Sequence, residues 1–135
     1  MSTVVTQREL VVSEVRRLVR EAGDATSREA VVFVHGNPGS GQDFEALLPA
    51  AGEFARAVAP DLPGYGKAQR PRDFPYTVEG YAAYLAALLD ELGIERAHLV
   101  LHDFGGPFGL AFAATHMDRV ASFVLLNVGV LPGCR

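Results

Sequence analysis

Apolar and polar positions along the chain change period several times, and each change marks a new element. Glu9 to Val12 and Val15 to Val19 carry β-branched residues with alternating polarity, which predicts an opening pair of strands; the second stretch also fits a short helix. Gly23 to Glu29 is a polar turn. Ala30 to Val34 is a continuous apolar run, the pattern of a strand covered on both faces. After the loop His35-Gly36-Asn37-Pro38-Gly39-Ser40-Gly41, residues Gln42 to Phe54 fit one helix, with Phe44, Leu47, Leu48 and Ala51 as its apolar stripe. Arg56 to Ala59 is a second short run, followed by Pro60-Asp61-Leu62-Pro63-Gly64-Tyr65-Gly66. Thr77 is placed to cap a helix, with Glu79 in its first turn. Val78, Tyr81, Ala82, Leu85, Leu88, Leu89 and Leu92 then recur at helical spacing, and Gly93 marks the stop. Ala97 to Leu101 predicts a third buried strand, Phe104 to His116 a helix rich in small residues, and Ala121 to Leu126 a fourth buried strand.

Strands alternating with helices specify a mostly parallel sheet with helices on both faces, an α/β fold. In such sheets ligands bind beyond the carboxyl ends of the strands. Each chemically suggestive loop here follows the carboxyl end of a strand. The chain has 135 residues, 49% of them hydrophobic and 21% charged, which suits one globular domain. A net charge of −4 gives no reason to expect nucleic acid or an anionic membrane as partner. No apolar run has the length of a membrane span, and no signal peptide is visible at the start. The single cysteine, Cys134, cannot form an internal disulfide, so a cytoplasmic setting is expected. Nothing calls for a metal or cofactor, and the expected ligand is a small-molecule substrate.

The stretch His102-Asp103-Phe104-Gly105-Gly106 joins a buried strand directly to a helix. That turn must be sharp, which Gly105 permits by removing bulk. A side chain there stands above the sheet edge, over the partial positive charge and free N–H groups of a helix N-terminus. This environment suits a carboxylate, and also the oxyanion of acyl hydrolysis. Asp103 is thus the candidate nucleophile; the plainer alternative is a helix N-cap, which Asp also favours.

Leu101-His102-Asp103-Phe104-Gly105-Gly106 resembles the nucleophile elbow of α/β-hydrolases that use aspartate, the epoxide hydrolases and haloalkane dehalogenases. His35-Gly36-Asn37-Pro38 resembles their His-Gly-x-Pro loop, and Asp61-Leu62-Pro63-Gly64-Tyr65-Gly66 their Asp-x-x-Gly-x-Gly turn. The three motifs occur in family order and span nearly the whole chain. The resemblance implies that the backbone N–H groups of Asn37 and Phe104 form the oxyanion hole. The Asn37 side chain would hold a leaving group or, more plainly, form an Asx turn before Pro38. His35, Gly36, Pro38, His102 and Gly105 are then loop-organising, as is Asp61. Dehalogenases usually carry Trp after the nucleophile; Phe104 lacks its N–H donor and leans toward epoxide, whereas Asn37 leans toward halide. Tyr65, Tyr76, Tyr81 and Tyr84 lie outside the places where the family puts its ring-opening acids, and Tyr81 and Tyr84 read as helix packing.

The resemblance also implies a base histidine and its acid beyond a cap, after Leu126. His35, His98, His102 and His116 are the chain's four histidines, and none is placed for that role. The expectations are that residues 1–135 are the first part of such a core, up to the start of a cap. Such a chain would form an ester on Asp103 and release it poorly. It would also expose its last strand to homodimerisation or other association. A hydrolase acting on a small apolar electrophile is the leading reading. A non-catalytic α/β domain that binds a ligand or partner is the alternative from another class; a serine esterase is disfavoured because no Ser occupies the elbow.

Overall fold

A computed structural model describes residues 4–129, so Cys134 and the preceding Leu131-Pro132-Gly133 lie outside the described part. Six strands form one sheet: β1 (Thr6–Val12), β2 (Val15–Ala22), β3 (Glu29–Val34), β4 (Arg56–Pro60), β5 (Arg96–His102) and β6 (Val120–Leu126). Their spatial order is β1-β2-β4-β3-β5-β6. The β1–β2 and β2–β4 pairs are antiparallel, and β4–β3, β3–β5 and β5–β6 are parallel. The mostly parallel α/β sheet expected from the alternation is therefore present. The Val15 stretch is a strand, and the short-helix alternative falls away. Ser13 and Glu14, both with positive φ, make the two-residue turn between β1 and β2.

The period-2 geometry of the strands divides the core in two. Ala30, Val32 and Val34 of β3, Val58 of β4, and Ala97, Leu99 and Leu101 of β5 face one side. There they meet α2 (Val78–Leu92), through Leu85, Leu88 and Leu89, and α3 (Gly105–Thr115), through Phe108 and Phe112. Phe33, Ala57 and Ala59 face the other side, against Phe44, Leu48 and Ala51. Helix α2 has the ends read from the sequence: the Thr77 hydroxyl accepts from the Gly80 N–H at 3.0 Å, and Gly93 closes it in the left-handed conformation, φ +70°.

Two expectations are corrected. Residues Gln42 to Phe54 do not form one helix. A 3-10 turn at Gly41–Phe44, capped by Ser40, is followed by α1 at Leu48–Gly52. Pro49 stands in the first turn of α1 because it has no N–H to donate to an upstream carbonyl, so the helix starts there rather than running through. Phe44, Leu48 and Ala51 still bury, but Leu47 is exposed. The second correction is β6, which is not buried: Phe123, Val124, Leu125 and Leu126 are all exposed, because β6 is the edge of the sheet among the described residues.

Candidate active site

The carboxyl ends of β3, β4 and β5 bring three loops together. At the end of β5, Asp103 adopts φ +54°, a left-handed conformation that costs a non-glycine residue free energy. The strain turns the chain from strand to helix within one residue. Two hydrogen bonds hold the turn: the Gly106 N–H donates to the Asp103 carbonyl at 2.9 Å, and the Asp103 N–H to the Leu126 carbonyl of β6 at 3.3 Å. Gly105 is required by close approach. A methyl group there would come within 2.4 Å of the Val34 carbonyl oxygen and 2.7 Å of that of His35. This glycine lets the start of α3 lie against the end of β3.

The Asp103 carboxylate does not cap α3. Its Oδ2 accepts from the Asn37 N–H at 3.0 Å, across the gap between the two loops. That bond and one from the Phe104 N–H lower the carboxyl's pKa from its ordinary value, with desolvation opposing weakly. The Asn37 and Phe104 amides thus both bear on the carboxylate of Asp103. Gly36 makes the approach feasible, since a Cβ there would stand 2.4 Å from the Cβ of Asp103 and 2.6 Å from its Oδ2. The Asn37 side chain is exposed and forms no Asx turn; among the described residues its amide has no hydrogen-bond partner. The Asn37–Pro38 peptide is cis.

His35 is fully buried behind this loop. Its Nε2 accepts from the Leu62 N–H at 3.0 Å, and its Nδ1 lies 2.9 Å from the Gly36 carbonyl, to which it donates as the Nδ1–H tautomer. The ring thereby ties the Gly36 loop to the Asp61 loop. Burial lowers its pKa and keeps it neutral. Asp61, also fully buried, accepts from the Gly41 N–H at 2.8 Å, from the Lys67 N–H at 2.9 Å and from Arg20 Nη1 at 3.2 Å. One carboxylate so gathers three segments of the chain. Gly64 and Gly66 take positive φ, +85° and +54°, and a side chain at Gly66 would meet the Asp61 carboxylate at 2.5 Å. Arg20, the ionic partner of Asp61, was not foreseeable from the sequence, because a separation of 41 residues carries no motif spacing.

The rest of the site is aromatic. Phe104 is exposed next to Asp103, its ring 6.5 Å from Phe108; Phe108 stacks on Tyr81 at 4.3 Å. The hydroxyls of Tyr76 and Tyr81 already donate to the carbonyls of Pro71 and Pro63, both at 2.8 Å. No histidine is placed as a base beside Asp103. His98 pairs with Ser122 on the sheet, at 2.7 Å, and His116 stacks on Phe112 at the far end of α3. His102 precedes Asp103 but makes no side-chain hydrogen bond among the described residues that could orient it.

A strained acidic elbow after a parallel strand, facing the amide of a His-Gly-Asn-Pro loop, is an arrangement with known relatives. The α/β hydrolase fold family matches residues 29–133. The chain belongs to that family. A 2-hydroxy-6-oxo-2,4-heptadienoate hydrolase of Pseudomonas putida is 38% identical over 128 residues, covering 87% of this chain and 46% of that protein. Among solved structures, an epoxide hydrolase from Vigna radiata superposes with a TM-score of 0.86 at 30% identity, over 95% of this chain and 40% of its own. A haloalkane dehalogenase from Agrobacterium tumefaciens gives 0.81 at 31% identity, over 92% and 41%. The chain thus spans less than half the length of each relative. These α/β-hydrolase relatives are hydrolases, and the chain's fold is a partial version of theirs. Among the described residues, no helix is long and apolar enough to cross a membrane.

Proposed function

We propose that this chain carries the nucleophile of an epoxide hydrolase-like enzyme, and that Asp103 attacks the electrophilic carbon of a small, largely apolar substrate to form a covalent ester. The observation that carries the reading is the pairing of Asp103's left-handed backbone with the Asn37 N–H on its Oδ2. With Oδ2 held, Oδ1 is left to attack. The new bond runs from Oδ1 to carbon, and the carbon–oxygen bond of the epoxide breaks toward its oxygen, which then takes up a proton. The amides of Asn37 and Phe104 next serve the ester's carbonyl oxygen when water adds to it. Release needs a base, and none of the four histidines stands in that position. Residues 1–135 taken alone are therefore expected to hold the ester.

A dehalogenase-like reaction is the second reading, favoured by the exposed and unengaged Asn37 side chain, which can donate to a departing halide. Phe104 offers no second donor. A cytoplasmic setting accompanies both readings and rests on the single cysteine. Incubation of the chain with styrene oxide and, separately, with 1-bromobutane, followed by intact-mass measurement, tests the proposal. The expected result is one adduct per chain, absent in Asp103→Ala. An epoxide adduct without an alkyl adduct selects the first reading, and the converse selects the second. A folded chain unmodified by both reagents overturns the nucleophile assignment, and steady product release overturns ester accumulation.

A further inference from the structure

A cleft of about 310 Å³ is lined by Gly64, Tyr65, Arg70, Tyr76 and Tyr81, residues of the loop after β4 and of the start of α2. Its size is near the lower end of small-molecule sites, which run from about 300 to 1,000 Å³. Ring contacts connect its walls to the loops of His35 and Phe104. The Tyr65 ring meets the His35 ring edge-on at 5.2 Å, and Tyr81 stacks on Phe108, which leads to Phe104. Three of the five lining residues are tyrosines. The Tyr76 hydroxyl is committed to a backbone carbonyl, so this exposed residue presents mainly ring surface to an occupant, while Tyr81 is buried beneath and backs the cleft floor.

The charged group in the lining is Arg70. It is exposed, and among the described residues it has neither an ion-pair nor a hydrogen-bond partner. Its backbone position is nonetheless fixed. The preceding Gln69 donates its N–H to the Arg16 carbonyl at 2.9 Å, accepts from the Gly64 N–H at 2.9 Å, and accepts through its side chain from the Arg16 N–H at 2.8 Å. Pro71 follows and restricts the backbone on the other side. An anchored segment thus carries a guanidinium with no protein partner to the rim of an aromatic cleft. Planar guanidinium pairs with carboxylate through two parallel N–H donors, and aromatic walls favour a flat, unsaturated body.

We propose that this cleft is a binding subsite for the anionic end of the substrate, an aryl or conjugated carboxylate whose planar body lies against Tyr65 and Tyr76. The proposal rests on the hydrolase reading for its purpose, and adds one charged end to an otherwise apolar substrate. Its binding step is independent of Asp103.

Titration of the chain with cinnamate and with the neutral cinnamamide, followed by two-dimensional amide NMR, separates charge recognition from ring burial. Cinnamate is expected to bind at least tenfold more tightly than cinnamamide, with the largest shifts at Gly64, Tyr65 and Arg70. Arg70→Gln is expected to remove that preference while leaving cinnamamide binding unchanged, and Arg70→Lys to keep a smaller preference. Equal binding of the two ligands, shifts centred elsewhere, or an undiminished preference in Arg70→Gln would overturn the proposal. Asp103→Asn is expected to bind cinnamate as the unsubstituted chain does. Ester formation on Asp103 without cinnamate selectivity would sink the cleft alone; cinnamate selectivity without ester formation would sink the nucleophile reading alone.

Discussion

At the residue scale the structure turns on Asp103 and the amides that face its carboxylate. Hydrogen bonds from backbone N–H groups stabilise the ionised form, so its pKa lies below the ordinary carboxylate value of about 3.9. On the proposed reading, protonation removes the attacking carboxylate, and a lowered pKa moves that loss to more acid solution. Ester formation should therefore be flat with pH from neutrality down to about 4 and fall only below it. Single-turnover mass measurements across pH 3–8 check this, and a midpoint near 5 or above would contradict the geometry. The candidacy of Asp103 was legible in the sequence, because a carboxylate between a buried strand and a glycine pair has few roles. Two plainer roles were legible beside it, an N-cap for Asp103 and an Asx turn for Asn37. What the sequence did not carry is the placement of the Asn37 N–H on Oδ2, across a separation of 66 residues.

At the scale of elements, the loops are held by buried polar side chains rather than by apolar packing alone. His35 bridges two of them as a neutral ring, and burial lowers its pKa. In the unfolded chain the same imidazole titrates near 6.5, so below that pH the unfolded state binds the extra proton. Stability is thus full above about 6.5 and declines as pH falls through that value toward the lower folded-state pKa. Thermal unfolding at pH 7.5 and 5.5 should show a larger loss for the unsubstituted chain than for His35→Gln, although the variant starts lower because the ring's bridge is gone. Gly105→Ala tests the packing of α3 on β3. A methyl within 2.4 Å of a carbonyl oxygen forces the helix start to move, at a cost of about 1–3 kcal/mol, read from denaturant unfolding. A neutral outcome would mean that α3 is free to shift. The strands and α2 were readable because strand pattern, cap and stop residues agreed with one another. The Gln42–Phe54 stretch was misread because its apolar stripe has helical spacing, while Pro49 and the Ser40 cap divide it into two short turns. The loop glycines were visible as turn formers, but not the backbone and side-chain approaches that make Gly36 and Gly105 hard to replace.

At the scale of the whole molecule the sheet is asymmetric. Its β1 edge is polar over Thr6 to Glu9, whereas the β6 edge is Val120-Ala-Ser-Phe-Val-Leu-Leu126, a run whose apolar residues point to both faces. Such a run is the composition of an interior strand, and here Phe123, Val124, Leu125 and Leu126 stand 37–48% exposed. An edge strand normally avoids this by carrying charge, a proline or a bulge in mid-strand; β6 has none of these along Phe123 to Leu126, where its register with β5 is regular. Among the described residues no strand lies beyond β6, and its open side together with apolar side chains on both faces would suit pairing with β6 of a second copy of residues 1–135. The chain should then sediment as a concentration-dependent dimer. Val124→Lys places a charge in the middle of that edge, away from the loops that hold Asp103, and should shift the chain to monomer with its melting temperature little changed. Association undiminished in Val124→Lys would place the contact elsewhere, and a monomer at all concentrations in the unsubstituted chain would show that β6 does not pair with its copy.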